Sequence, residues 1–258
     1  MPAALRYTAR KDMKTSISSI AFLILTTVIP GSYCFAHTPV EFLEVVSVAA
    51  ARSVEHAVDL RGMLDDVRVE TMLVGPKMFS RAVGCLERPV KKPLAYLSWF
   101  KIVDPSAQPV RELGVMDMVR GSQSKVLRIQ SAEYLLSPSQ LITTGSPAPI
   151  PVGLDHYKAY RVVDAAPLDR QIEMTDSAGA DTRRLGKPLF VCLPTQEWHH
   201  DEHFPVSHPS DCLVVYELDE LEHTESVSTI DQFGLNELRT KQSKWLCVRA
   251  VLLQDTAE

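Results

Sequence analysis

The densest set of side chains able to do chemistry is "WHHDEHFPVSH", Trp198 to His208. It holds four of the chain's eight histidines, His199, His200, His203 and His208, together with Asp201 and Glu202. Imidazole nitrogen suits zinc and copper, and carboxylate oxygen can complete such a shell. His200 and His203 stand three apart, which on a helix would place both on one face. Pro205 and Pro209 argue against a helix there. A catalytic zinc centre needs three ligands on rigid elements, an open coordination position and a general base. The spacing typical of zinc hydrolases is absent, because Glu202 directly precedes His203. Two readings stand: a site for zinc or copper made by His199, His200, His203 and His208, structural rather than catalytic, or a turn-rich spacer. In the spacer Trp198 and Phe204 pack down and the imidazoles face water.

Other reactive signatures are missing. The chain has no G-x-S-x-G elbow, no glycine-rich phosphate loop and no C-x-x-C pair. Asp155-His156 and Asp211-Cys212 begin strand-like stretches at matching places, where turn chemistry accounts for the aspartates. Cys85, Cys192, Cys212 and Cys247 permit two disulfides in any of three connectivities, or serve as small buried hydrophobes. The aromatics Trp99, Tyr157, Tyr160, Tyr216 and Trp245 could line a groove, but strands enrich aromatics for core and cross-strand packing.

These residues are carried by a repeat. "LAYLSWFKIVD" (94–104), "LDHYKAYRVVD" (154–164) and "SDCLVVYELDE" (210–220) alternate as strands do, with Phe100, Tyr160 and Tyr216 in one slot. "YLLSPSQ", "FVCLPTQ" and "WLCVRAV" close the units, making Leu136, Cys192 and Cys247 equivalent. Middle strands start at Val115, Ile172 and Val227, and a degenerate first copy runs from "VRVETM" (67–72) towards Cys85. The period is about 56 residues. On this register the histidine segment is the connector between two units. The expected fold is mainly β: three clear and one degenerate antiparallel repeat, forming a sandwich or barrel. The units are 37–93, 94–153, 154–209 and 210–258.

Two segments differ from the repeats. Between 39 and 57, Phe42, Val45, Val46, Ala49, Ala50, Val54 and Ala57 fall at helical spacing. Thr38, Pro39 and Glu41 form a capping box before them, so an amphipathic helix is expected, with a strand through Val45–Val48 as the alternative. Residues 1–36 look like a signal peptide: Arg10, Lys11 and Lys14 precede an apolar run from Ile20 to Ile29, and "YCFA" offers a cut after Ala36. Met13 begins a tidier version, so the start is Met1 or Met13. Export implies a periplasmic, cell-surface or extracellular destination.

The whole chain carries 27 Lys and Arg against 32 Asp and Glu. Loss of the leader removes four bases and one acid, leaving a net charge of −8. Such a chain has no electrostatic reason to bind nucleic acid or anionic membranes. No later apolar stretch is long enough to span a bilayer.

The strand "CLVVYELDE", followed by "STIDQFGLNEL" and "SKWLCVRA", resembles a repeat of about fifty residues in an uncharacterised family of secreted bacterial proteins, a domain of unknown function. That repeat has a Cys-Tyr-like strand, a Gln-Phe-Gly turn and a Leu-Cys-Val/Asn-Pro strand, and the resemblance covers roughly 94–253. Here Trp99, Ala159 and Val215 stand where the family has cysteine, and the "DQFG" turn, Asp231 to Gly234, survives only in the last unit. The family implies no activity. Repetition builds a surface rather than a single pocket. The expected function is therefore a secreted, non-enzymatic binding or structural module for an extracellular protein or glycan, needing no cofactor. A metal-binding protein or metal-dependent hydrolase centred on His199–His208 is the alternative.

Overall fold

Alternating β-branched, aromatic and polar residues between proline- and glycine-rich turns form strands throughout. The computed structural model describes residues 40–253 apart from 51–52, 91–93, 104, 106–107, 144–146, 148 and 177–178. The expected signal peptide lies outside the described residues. The first unit comprises β1 (Phe42–Ala50), β2 (Val54–Gly62), β3 (Val69–Ala82) and the short β4 (Gly84–Cys85). The second has β5 (Tyr96–Ile102), β6 (Arg111–Asp117) and β7 (Ser124–Ile142). The third has β8 (His156–Val163), β9 (Arg170–Asp176) and β10 (Gly179–His199), followed by the short β11 (Glu202–Phe204). The fourth has β12 (Asp211–Glu222), β13 (Ser226–Asp231) and β14 (Gly234–Leu253).

Pairing closes a ring. β1 pairs β3, β3 pairs β5, β5 pairs β7, and β7 pairs β8. β8 then pairs β10, β10 pairs β12, β12 pairs β14, and β14 returns to β1. Every pair is antiparallel, so eight strands make a closed barrel to which each unit gives two. The register repeats with them: Ser80 faces Leu97, Leu136 faces Tyr157, Cys192 faces Leu213, and Cys247 faces Leu43.

Two cores follow from the alternation of side chains across the barrel wall. Leu43, Val45, Leu97, Trp99, Leu136, Tyr157, Cys192, Leu213 and Cys247 share one buried cluster inside the barrel. Tyr134, Phe190 and Trp245 meet over one end, with ring centroids 5.3–6.4 Å apart. The neighbouring positions Phe100, Tyr160, Tyr216, Val214 and Val248 belong to a second cluster outside the wall. That outer layer is covered by hairpins. The first half of each long strand turns away from the barrel and pairs with its unit's middle strand: β2–β3, β6–β7, β9–β10 and β13–β14. Each middle strand then pairs two units away: β2 with β10, β6 with β14, β9 with β4, and β13 with β7. All four long strands have a bulge or irregularity where hairpin gives way to barrel: β3 between Val74 and Met78, β7 between Ile129 and Tyr134, β10 around Pro188, and β14 opposite Glu217–Leu221. A bulge supplies the bend this change of direction needs, and it is where proline is tolerated in a paired strand.

Three sequence-based expectations are corrected. The helix expected over 39–57 is replaced in its described part by β1 and β2. Both faces of β1 are buried through Val46, so it lacks the polar alternation that marks a one-sided strand. The first repeat is complete rather than degenerate, with β2 as its middle strand, and Ser80 rather than Cys85 is equivalent to Leu136. In the second unit the middle strand is offset by two residues, so Asp117 rather than Val119 matches Asp231. The four cysteines are buried free thiols. Among the described residues no helix is long and apolar enough to cross a membrane.

Candidate functional site

The tip of the β13–β14 hairpin is the Asp231–Gly234 turn. Asp231 shapes it by accepting hydrogen bonds from the Phe233 backbone N–H at 2.9 Å and from Asn236 Nδ2 at 3.1 Å. Gly234 takes φ +112°, a left-handed conformation that favours glycine. This tip is driven into the outer layer over the second and third units. Phe233 lies against His56, centroids 4.5 Å apart and nearly parallel, and meets Phe100 and His199 edge-on at 4.7 and 5.0 Å.

Gln232 enters a polar nest. Its Oε1 accepts from His156 Nε2 at 2.7 Å and from Ser137 Oγ at 3.1 Å, and its Nε2 donates to Glu197 Oε1. These bonds place the His156 proton on Nε2. Glu197 is fully buried and His156 nearly so. Glu197 Oε2 lies 3.4 Å from His156 Nε2 and has no hydrogen-bond partner. Burial is the main reason that the Glu197 carboxyl is pushed up to about 7 and the His156 imidazole down to about 4. Asp231 is raised to about 6 by burial, against the hydrogen bonds it accepts. The nest thus favours neutral forms of both an acid and a base. It binds the chain's own glutamine, and its groups are enclosed rather than presented to solvent.

The expected metal residues are dispersed. His199 ends β10 and His200 occupies the following turn at φ 53°, their rings 4.1 Å apart. His203, in β11, instead stacks on Trp198 at 4.5 Å, with the Arg68 guanidinium 4.4 Å from the Trp198 ring. His208 belongs to the loop before β12, with Nδ1 3.9 Å from Asp155. Asp155 accepts from the Ser207 and His208 backbone N–H groups at 2.8 and 2.9 Å, holding that loop as strand-entry chemistry suggests. Among the described residues no group of three or more His, Cys, Asp or Glu side chains is arranged to hold a metal ion. Trp99, Tyr157, Tyr160 and Tyr216 are core residues.

Counting from the four register pairs identifies the counterpart of this nest one unit earlier in the ring. Arg81 there matches Ser137, Tyr96 matches His156, and Leu141 matches Glu197. Asp59 faces Trp198 as Ser228 faces Ile142, so Glu225 matches His56. Arg81, Tyr96, Leu141 and Glu225 line an open cleft of about 600 Å³. Its floor is the third buried cluster, with Phe79 and Tyr96 stacked at 5.5 Å. Arg81 bridges Glu44 at 3.0 Å, Asp176 at 2.9 Å and Glu225 at 3.7 Å.

His56 and Glu197 were not singled out by sequence reasoning, and His156 was read only with Asp155 at a strand start. The signal that pointed to them was the "DQFG" turn, read only as a family mark.

A closed β-repeat barrel, with four outer hairpins whose middle strands pair two units away, is the class this fold and site define. The family model for Repeat of unknown function (DUF7450) matches residues 96–249, and the chain belongs to that family. No curated protein and no solved structure matches the chain.

Proposed function

We propose that the protein is an exported, non-catalytic binding module that engages an extracellular protein or glycan through the Arg81 cleft. The observation that carries this reading is the contrast between two register-related places. One is filled by Gln232 and Phe233, while the other, among the described residues, is an open cleft floored by Phe79 and Tyr96 and walled by charged groups. The leader-like residues 1–36 support a periplasmic, cell-surface or extracellular destination. No cofactor enters this reading.

The test uses purified chain 37–258 on glycan and peptide arrays, beside a Thr175→Trp variant that places an indole in the cleft. At least one ligand class retained by the wild type and lost by the variant is expected. Ligands indifferent to the substitution, or none at all, would sink the proposal. A second reading, zinc or copper bound at the histidine segment, draws on the close contact of His199 and His200. Stoichiometric metal that disappears in a His199→Ala/His200→Ala chain would support it, and metal-free protein unmoved by added zinc or copper would end it.

A further inference from the structure

A hairpin tip needs no reactive groups to dock on this ring. In the opposite quadrant Asp117 takes the part of Asp231, and Phe42 and Val248 hold the places of His156 and Ser137. The tip residues Met118 and Val119 join the same apolar cluster as Phe42 and Val248. In the Gln232 quadrant those places carry a hydroxyl and an imidazole instead, and Glu197 adds a carboxyl, all three turned on one primary amide.

We propose that Ser137 and Gln232 become joined by an ester between Ser137 Oγ and the Gln232 side-chain carbonyl carbon, with Glu197 and His156 assisting and ammonia released.

Each group stands where that acyl transfer needs it. Ser137 Oγ lies 3.1 Å from Gln232 Oε1. With a carbonyl bond of about 1.2 Å, the hydroxyl oxygen is therefore within about 4.3 Å of the amide carbon Cδ. A turn of the serine side chain brings it to the roughly 3–3.5 Å from which attack proceeds. His156 Nε2 donates to Oε1 at 2.7 Å, where negative charge gathers in the tetrahedral intermediate. On the other side of the amide, Glu197 Oε1 accepts from Nε2, the atom that must leave. Its second oxygen, Oε2, is buried without a hydrogen-bond partner, 3.4 Å from His156 Nε2, and is the group available to take the hydroxyl proton.

The step balances. Oγ attacks Cδ, the Oγ–Cδ bond forms, and the hydroxyl proton passes to Glu197. Glu197 returns a proton to Nε2, the Cδ–Nε2 bond breaks, and ammonia leaves. No electrons are exchanged and no co-reactant is consumed. Burial raises the Glu197 carboxyl to about 7, which suits a group that must both take and give a proton near neutrality. The same burial keeps out water that would compete for Cδ. Glu197 and His156 are regenerated and still titrate in the joined chain.

The bond ties β7 of the second unit to the hairpin tip of the fourth, across 95 residues. Among the described residues the cysteines are free thiols, so no disulfide makes such a tie. An ester there constrains the unfolded chain as a disulfide does, without depending on redox conditions. The inference is independent of the Arg81 cleft.

The experiment is peptide mapping by mass spectrometry of the purified folded chain, fresh and after prolonged incubation at neutral pH. A branched peptide is expected that contains both Ser137 and Gln232, is lighter by one ammonia than its two parts together, and is opened by hydroxylamine. Ser137→Ala should lose it entirely, and Glu197→Gln should form it at least about tenfold more slowly, with circular dichroism confirming the fold of both. The wild-type map decides by itself if a variant fails to fold. Absence of the branched peptide from fresh and incubated protein would overturn the proposal. So would a branch between other residues, a branch that survives hydroxylamine, or an undiminished rate in Glu197→Gln. Conversion of the Gln232 amide to a carboxyl with no branch would show that water rather than Ser137 reaches Cδ, and would overturn it too.

Discussion

Glu197 and His156 oppose each other in proton uptake, so removing either one should uncover the other. Burial lifts the carboxyl from 4.5 to about 7 and lowers the imidazole from 6.5 to about 4. Between pH 4.5 and 6.5 the unfolded chain holds one proton on this pair, mainly on the imidazole. The folded chain also holds one, on the carboxyl. Stability depends on pH through the difference in bound protons, so the pair contributes almost no slope across that window. In Glu197→Gln only the histidine titrates. Its folded value is depressed, the unfolded chain binds more protons, and stability rises as pH increases from about 4 to 6.5. In His156→Gln only the carboxyl titrates. Its folded value is raised, the folded chain binds more protons, and stability falls as pH increases from 4.5 to about 7. At roughly 1.4 kcal/mol per tenfold change, each swing is about 3 kcal/mol. Asp231, raised to about 6, tilts all three proteins the same way and drops out of the differences. Urea unfolding at several pH values from about 4 to about 7.5, with slopes checked for constancy, measures this directly. Profiles for the wild type and both variants that run parallel within about 1 kcal/mol would refute the reasoning.

Phe233→Ala removes a ring held by His56, Phe100 and His199, and should cost about 2–4 kcal/mol in urea unfolding, while an unchanged midpoint would show that the tip does not clamp the outer layer. Gly153 has φ +82°, and a Cβ there would stand 2.7 Å from His208 Cε1, so Gly153→Ala should lower the melting temperature and His208→Ala should restore part of the loss. The thiols of Cys85, Cys192, Cys212 and Cys247 are buried and their pKa values are raised, so a thiol reagent at neutral pH should modify them slowly in the native protein and rapidly in denaturant. Fast native labelling would contradict the closed barrel.

The repeat and its aromatic slot were legible because each unit keeps the same alternation of side chains along its closing strand. Leu136, Cys192 and Cys247 do occupy equivalent inner positions, as their shared spacing implied. The first unit hid for a physical reason. β1 has both faces buried through Val46, so hydrophobic residues fill both, and Phe42, Val45 and Val46 then fall at helical spacing as readily as on a strand. The polar nest hid because its members are far apart in sequence: Ser137 and Gln232 are 95 residues apart, and Glu197 and Gln232 are 35 apart. Density drew attention to the histidine segment, where neighbours in sequence point to different partners. Pairing register, which brings Gln232 to His156, leaves no local trace beyond the turn itself.

The seam between β1 and β14 has a consequence for assembly. Phe42 pairs with Val248, so contacts about 200 residues apart seal the ring. Joining such distant segments carries a large loop-closure entropy and slows folding, so this seam should be the last part of the wall to form. Until then β1 and β14 each present an unguarded strand edge, the kind that recruits a neighbouring chain. A ring closed by equivalent joints also has no privileged origin. A circular permutant opened between the second and third units keeps every pairing, and makes a strand pair from the middle of the natural chain the one that must wait for its partner.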